Sequence, residues 1–174
     1  MFVLGVDPGL SRCGYGCLRS DAGRSQAVAA GVITTATSEP VPQRLATLRR
    51  ELDALIGELR PDVVVVERVF FQTNARTAMS VGQASGVAML TAIERGCEVV
   101  EYTSNEVKLA VTGYGAAGKD QVQRMVARLL GLAKVPEPPD AADALALALC
   151  HLQSAPWARP GGVRQMGPAE ALGP

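Results

Sequence analysis

A chain of 174 residues, 48% hydrophobic and 20% charged, is long enough for one domain with a substantial core and too apolar for a disordered protein. Its 17 basic and 17 acidic residues cancel, so nucleic-acid binding is permitted but not demanded. Asp7 comes too early for a signal peptide, and the longest uncharged apolar stretch, residues 144–152, falls far short of the ~20 residues a membrane span needs, so a soluble cytoplasmic protein is expected.

In chain order, residues 2–6 read as a buried strand, closed by Asp7 and turned by Pro8-Gly9. Residues 15–18 and 27–34 suggest a hairpin around Asp21-Ala22-Gly23. Leu45, Leu48, Leu52, Leu55, Ile56 and Leu59 recur at helical spacing, and Pro61 marks where that helix stops. The four valines at 63–66 predict a parallel strand covered on both faces. Residues 73–94 predict a helix rich in small side chains (Ala75, Ala78, Ser80, Gly82, Ala84, Gly86, Ala88), which let a sheet or a partner helix come close. Val99, Val100 and Tyr102 suggest a further short strand. Helices are expected at 105–111 and 121–130, on either side of the glycine-rich segment 112–118, and Pro138-Pro139 introduces a last helix over 140–152.

Residues 155–174 contain eight prolines or glycines and no apolar period, so a flexible tail is expected after a folded unit spanning 1–154. The order β-β-β-α-β-α-β-α implies a mixed sheet flanked by helices. Cys13, Cys17, Cys97 and Cys150 form no CxxC pair, and with a single histidine, His151, they offer no zinc set; buried reduced thiols are expected.

Four carboxylates stand at the ends of apolar segments: Asp7, Glu67, Asp140 and Asp143. A charge at such a place is costly unless it is paired, binds a metal or faces a solvated cleft. Parallel strands alternating with helices present ligands at their carboxyl ends, where Asp7 and Glu67 lie, while Asp140 and Asp143 share one face of a helix that can dock beside them. Converging carboxylates raise one another's pKa values, and a divalent cation with all-oxygen ligation, magnesium or manganese, removes that repulsion. Two such ions about 4 Å apart can activate water and stabilise a leaving oxygen in phosphodiester hydrolysis. Taken singly, Asp140 after two prolines also suits a helix cap and Asp7 before Pro-Gly a turn; Glu67 and Asp143 have no such simple alternative.

The strings Gly5-Val6-Asp7-Pro8-Gly9 with Gly14-Tyr15-Gly16, then Val66-Glu67-Arg68-Val69-Phe70, then Asp140-Ala141-Ala142-Asp143-Ala144 resemble the RuvC family of Holliday-junction resolvases, the crossover junction endodeoxyribonucleases, in order and spacing from residue 1 to about 152. The resemblance implies a ribonuclease-H-like α/β fold with a mixed five-stranded sheet flanked by helices. It also implies a homodimer that nicks two opposed strands of four-way junction DNA in partnership with the RuvA–RuvB branch-migration complex. On that pattern Asp7, Glu67, Asp140 and Asp143 are the catalytic, metal-binding acids, holding two Mg2+ ions for which Mn2+ substitutes, and hydrolysis leaves a 5′-phosphate and a 3′-hydroxyl. It further implies that Phe70 stacks on an unpaired base near the crossover, and that Lys108 and Lys119 contact phosphates.

Phe71 is read as packing, and Arg76 and Arg124 as added backbone contacts to DNA. Residues 103–135 hold five basic side chains against Glu106 and Asp120, so a positive surface is possible within a neutral chain. Residues 113–120 nearly spell a phosphate-binding loop of nucleoside triphosphatases, but Asp120 stands where Ser or Thr is needed and a helix, not a strand, leads into it, which excludes that reading. An ATPase of the actin and sugar-kinase class needs a second domain that 174 residues cannot supply. A junction- or RNA-binding module without turnover is the remaining alternative, opposed by the full set of acids. His151 is expected about 12 Å along the helix from Asp143 and outside the chemistry. The small-residue helix at 73–94 is assigned to the dimer interface.

Overall fold

The computed structural model describes residues 1–21, 23–68 and 75–154, with side chains from Ala78 onward in the last segment. The expected positions Phe70 and Phe71, the side chain of Arg76, and the tail at 155–174 lie outside the described residues. The elements are β1 (Phe2–Asp7), β2 (Arg12–Asp21), β3 (Arg24–Thr34), α1 (Val41–Leu59), β4 (Val63–Glu67), α2 (Ala75–Glu94), β5 (Glu98–Tyr102), α3 (Ser104–Thr112), α4 (Lys119–Leu129) and α5 (Pro139–Ser154).

The strands form one sheet in the order β3-β2-β1-β4-β5. β1, β2 and β3 run antiparallel as a meander, while β4 joins β1 and β5 in parallel, so the sheet is mixed, as the element order implied. The first hairpin is longer than its apolar pattern suggested, because Gly14 and Gly16 break the pattern of β2 without breaking its pairing.

Successive strand residues point to opposite faces, so a run of four valines needs an apolar layer on each side. Val63 and Val65 pack into a layer built with α3, α4 and α5, and Val64 and Val66 into one built with α1 and α2. Cys13 and Cys17 fall on the α1 and α2 side, and all four cysteines are buried and unpaired. Helix α1 stops at Arg60, which takes a left-handed conformation (φ 50°) because the following Pro61 crowds a helical one, and the Arg60 N–H still reaches the Ile56 carbonyl at 2.8 Å. Helix α3 starts in a capping box: Thr103 Oγ1 accepts from the Glu106 N–H at 3.2 Å, and the Glu106 carboxylate accepts from the Thr103 N–H at 2.7 Å.

Helix α2 has two unlike faces. Ala84, Ala88 and Ala92, four residues apart, are buried against the sheet layer, whereas Met79, Gly82, Gly86, Leu90 and Ile93 are exposed on the opposite side.

Helix α5 is buried along almost its whole length and lies directly on β1 and β2. Glycines make that approach possible: a Cβ at Gly5 would run into the Ala144 carbonyl, and a Cβ at Gly14 into the Asp140 carbonyl. The register of α5 on the sheet, and with it the height of Asp140 and Asp143, is set by these backbone-to-backbone contacts. Gly5→Ala is therefore expected to lower the unfolding free energy by about 2 kcal/mol or more, in the range of overpacked cores. Urea denaturation with an unchanged m-value would show it; a stability equal to that of the parent protein would mean that α5 can shift freely.

Candidate active site

Asp7 and Glu67 end neighbouring parallel strands whose register pairs Val6 with Val66, so the two carboxylates emerge side by side. Together with Ser104, Val107, Lys108, Lys119, Val122, Asp143, Ala146 and Leu147 they line a cleft of about 390 Å³. The first turns of α5 bring Asp143 into this cleft. Asp140 stands at the helix start, close enough to raise the Asp7 pKa but turned to the guanidinium of Arg12, whose Nε and Nη2 donate to its Oδ2 at 3.1 and 2.9 Å. Three of the four predicted acids thus share one cleft and the fourth borders it.

The segment leaving Asp7 is fixed by an interior polar network. Thr35 Oγ1 donates to the Leu10 carbonyl at 2.5 Å, the buried Arg44 donates through Nε to Thr35 Oγ1 at 3.0 Å, and its Nη2 donates to Ser11 Oγ at 2.6 Å. This ties the turn after β1 to the start of α1 and launches β2 with Arg12 facing Asp140. Neither Arg12 nor Arg44 stood out in the sequence, since an arginine in a turn or on a helix has no spacing that announces its partner.

The electrostatics are those of crowded like charges. Burial pushes the Asp7 carboxyl up to about 7, with further upward pushes from Glu67, Asp143 and Asp140, against which Lys119 acts in the opposite direction. Burial and then the Asp143 charge raise Glu67 as well, opposed by Lys108 and Lys119 and by a hydrogen bond that Asp7 makes to it. Burial also raises Asp140, but its hydrogen bond from Arg12, a backbone hydrogen bond and the nearby cations outweigh this and leave it below the ordinary carboxylate value. Lys119 Nζ sits 2.6 Å from Asp143 Oδ2, which holds that ammonium charged above its usual range.

Two cations of the protein's own therefore engage two of the four carboxylates. In this arrangement no three His, Cys, Asp or Glu side chains among the described residues enclose an ion site. The donor chemistry nonetheless fits a hard divalent cation: Asp7 and Glu67 are half-buried, lie among further carboxylates and make no ion pair with a described lysine or arginine. Arg12 and Lys119 are half or more exposed, so their heads can leave the carboxylates at little cost.

Of the predicted DNA contacts, Lys108 and Lys119 line the cleft itself, while Arg124 is exposed on α4 and is not part of its lining. His151 is buried at the end of α5 with Nδ1 3.1 Å from the Tyr102 hydroxyl, and burial lowers its pKa; it takes no part in lining the cleft. The segment 113–118 follows the helix α3, as expected for something other than a triphosphatase loop.

Comparison with known proteins gives a consistent result. A family model described as Crossover junction endodeoxyribonuclease RuvC matches residues 3–151. A protein of that same description from Syntrophomonas wolfei is 51% identical over 154 residues, 88% of this chain and 90% of its own length. The solved structure of Thermus thermophilus RuvC in complex with a Holliday junction substrate superposes with a TM-score of 0.85 at 34% identity, covering 91% of this chain and 96% of that one. The yeast mitochondrial Holliday junction resolvase Ydc2 shares the fold at 16% identity, with a TM-score of 0.62 over 87% of this chain and 78% of its own.

The raised Asp7 pKa has a thermodynamic consequence. A folded state that holds a proton more tightly than the unfolded chain draws stability from it below about pH 4, and loses that stability as the pH climbs through about 7. In chelator, Asp7→Asn is accordingly expected to gain melting temperature relative to the parent protein progressively from pH 4 to pH 8. Calorimetric scans showing a pH-independent difference would contradict the burial of that charge.

Proposed function

Because the chain belongs to the RuvC family of crossover junction endodeoxyribonucleases, we propose that it resolves four-way Holliday junctions by paired, symmetric nicks in two opposed strands. The observation that carries this reading is the cleft itself, in which half-buried carboxylates from two adjacent strand ends and from α5 share the lining with two lysines suited to phosphate. The junction complex of the Thermus thermophilus relative supports the choice of substrate.

In this reading Asp7, Glu67, Asp140 and Asp143 hold divalent cations, two magnesium ions with manganese as a substitute. When bound, such ions supply an activated water and charge stabilisation for the leaving 3′ oxygen. The protein's own part is positional. Asp7 and Glu67, fixed by the β1/β4 register, set the floor of the site, and Asp143 and Asp140, fixed by the seating of α5, close it from the side. Arg12 and Lys119 offset the charge of Asp140 and Asp143 in the free protein and would be freed for other partners where those carboxylates hold cations. Lys119 and Lys108 then meet phosphate oxygens of the scissile strand and its neighbour, where a cation in a partly buried cleft acts more strongly than in water. The same reading assigns Phe70 as a base-stacking aromatic and Arg76 and Arg124 as two backbone contacts.

Two symmetric nicks need two sites related by a twofold axis, so we assign a homodimer. The outer face of α2 supports it: Met79, Leu90 and Ile93 are 65%, 54% and 59% exposed, in line with Gly82 and Gly86, at which an added Cβ would meet nothing. An apolar stripe with two glycines allows two helices to pack closely. The folded nuclease unit spans 1–154, with 155–174 as an appended segment. We also assign it cooperation with the RuvA–RuvB complex and a cytoplasmic setting, readings that the family resemblance supports; no helix among the described residues is long and apolar enough to cross a membrane.

Asp7→Asn is expected to bind a synthetic four-way junction as the parent does and to reduce cleavage by about 10³-fold or more, the pattern of a group acting in the transition state. Strand-by-strand mapping of nicks in magnesium, beside linear duplex, measures this. Undiminished cleavage would remove Asp7 from its role, and a parent protein that binds junctions without nicking them would be a binding module.

Gly82→Arg places a long charged side chain in the α2 stripe and is expected to give monomers in sedimentation equilibrium, with nicks on the two strands no longer paired. A variant that stays dimeric would move the interface elsewhere.

A further inference from the structure

Beside the carboxylate cleft runs a second groove of about 570 Å³, lined by Asn105, Glu106, Lys108, Leu109, Gly115 and Ala116. Lys108 lines both, so the groove continues the cleft. One wall is α3, and the other is the turn that joins α3 to α4.

That turn is held in place before any ligand arrives. Gly113 caps α3 in a left-handed conformation (φ 75°) with its N–H on the Leu109 carbonyl at 2.8 Å. The Thr112 hydroxyl donates to the Lys108 carbonyl at 2.8 Å and accepts from the Tyr114 N–H at 3.2 Å, and the Tyr114 carbonyl accepts from the Ala117 N–H at 3.1 Å. Little ordering entropy is left for binding to oppose.

Two large side chains stand in water here without a structural reason. Leu109, in the groove, is 56% exposed, and Tyr114, which precedes the groove residue Gly115 in the chain, is 60% exposed. The charges are arranged unevenly. Lys108 marks the boundary with the cleft, whereas the Glu106 carboxylate, committed to the Thr103 N–H in the capping box, keeps a negative charge at the groove. A phosphate is attracted to the Lys108 end and repelled beyond it, while a flat neutral group suits the remainder. The Asn105 amide offers one donor and one acceptor side, the pairing that reads a base edge.

We propose that this groove is a subsite for a single unpaired nucleobase adjoining the scissile phosphate, packed on Leu109 and Tyr114 and read by Asn105. The subsite deepens the resolvase reading and rests on it. Lys108 holds the phosphate between the cleft and the groove, and the identity of the seated base biases where the nick falls.

The test uses the full-length chain carrying Asp7→Asn, so that strands stay intact, and four-way junctions bearing 2-aminopurine at successive positions around the crossover. One position is expected to change fluorescence on binding. Adding Tyr114→Ala should abolish that change and weaken junction binding about tenfold, the effect of losing one stacked base, whereas Tyr114→Phe should preserve both. In the otherwise unaltered protein, Asn105→Ala should spread the nicks over neighbouring sequences, read by strand mapping. A fluorescence change at the base adjoining the scissile phosphate that survives Tyr114→Ala overturns the subsite, and an unchanged nick distribution in Asn105→Ala overturns base reading. A parent chain with no preference for junctions over duplex would instead bring down the resolvase reading itself.

Discussion

The backbone of α5 resting on the glycines of β1 and β2 is the contact on which the rest of the molecule depends. A helix normally stands off a sheet by the thickness of two layers of side chains. Here the carbonyls of Ala144 and Asp140 occupy the space that Cβ atoms at Gly5 and Gly14 would fill. The consequence is twofold: α5 becomes the buried spine that α3 and α4 pack around, and its first turn is lowered to the level of the strand ends. Side-chain packing tolerates adjustments of an ångström by changing rotamers, but backbone seated on backbone does not. The positions of Asp140 and Asp143 relative to Asp7 and Glu67 are thus fixed by the same contact that builds the core.

Gathering four carboxylates has an electrostatic cost that the free protein meets in two ways. Burial and the neighbouring acids push the Asp7 carboxyl up to about 7, so that it gives up its proton less readily, and the α5 acids borrow charge from Arg12 and Lys119. Both ion pairs are substantially solvated, and pairs of that kind contribute little net stability. A weak pair is a suitable placeholder: it offsets the repulsion that would otherwise act between α5 and the strand ends, yet it would give way at little cost to a stronger counter-charge. The lysine so released is already at the mouth of the cleft, where a phosphate would sit.

Most of the architecture was legible in the sequence because it rests on local patterns. Four consecutive valines require apolar layers on both faces, the α1 leucines require a helix, Pro61 marks a helix end, and the glycine-rich segment 112–118 parts two helices; the structure has each of these. The acids were legible for the opposite reason, as charges that local patterns do not tolerate. What stayed hidden depends on partners distant in the chain. Arg12 reaches Asp140 across 128 positions, and Arg44 reaches Ser11 across 33, with no periodicity to announce either. The small residues of 73–94 were read as one feature, whereas the structure divides them, with Ala84, Ala88 and Ala92 facing the core and Gly82 and Gly86 facing out. Composition at a position counts side chains, and only the helical phase separates their neighbours.

The same distinction resolves the zero net charge, which on its own argues against a protein of nucleic acid. Three of the 17 acids line the cleft and Asp140 borders it, and there the raised Asp7 pKa and the cations of Arg12 and Lys119 offset their charge. Helices α3 and α4 carry Lys108, Lys119, Arg124 and Arg128 against Glu106 and Asp120, a local surplus of bases next to the cleft that Lys108 and Lys119 line. Within one screening length of a phosphate, that local surplus governs attraction, and the charge of the whole molecule matters little. A neutral protein can then bind DNA at one face while avoiding indiscriminate attachment to duplex elsewhere, because only an arrangement that brings phosphates into the cleft meets the positive side of its charge distribution. For an enzyme that must leave ordinary duplex uncut, balanced charge is part of the selectivity.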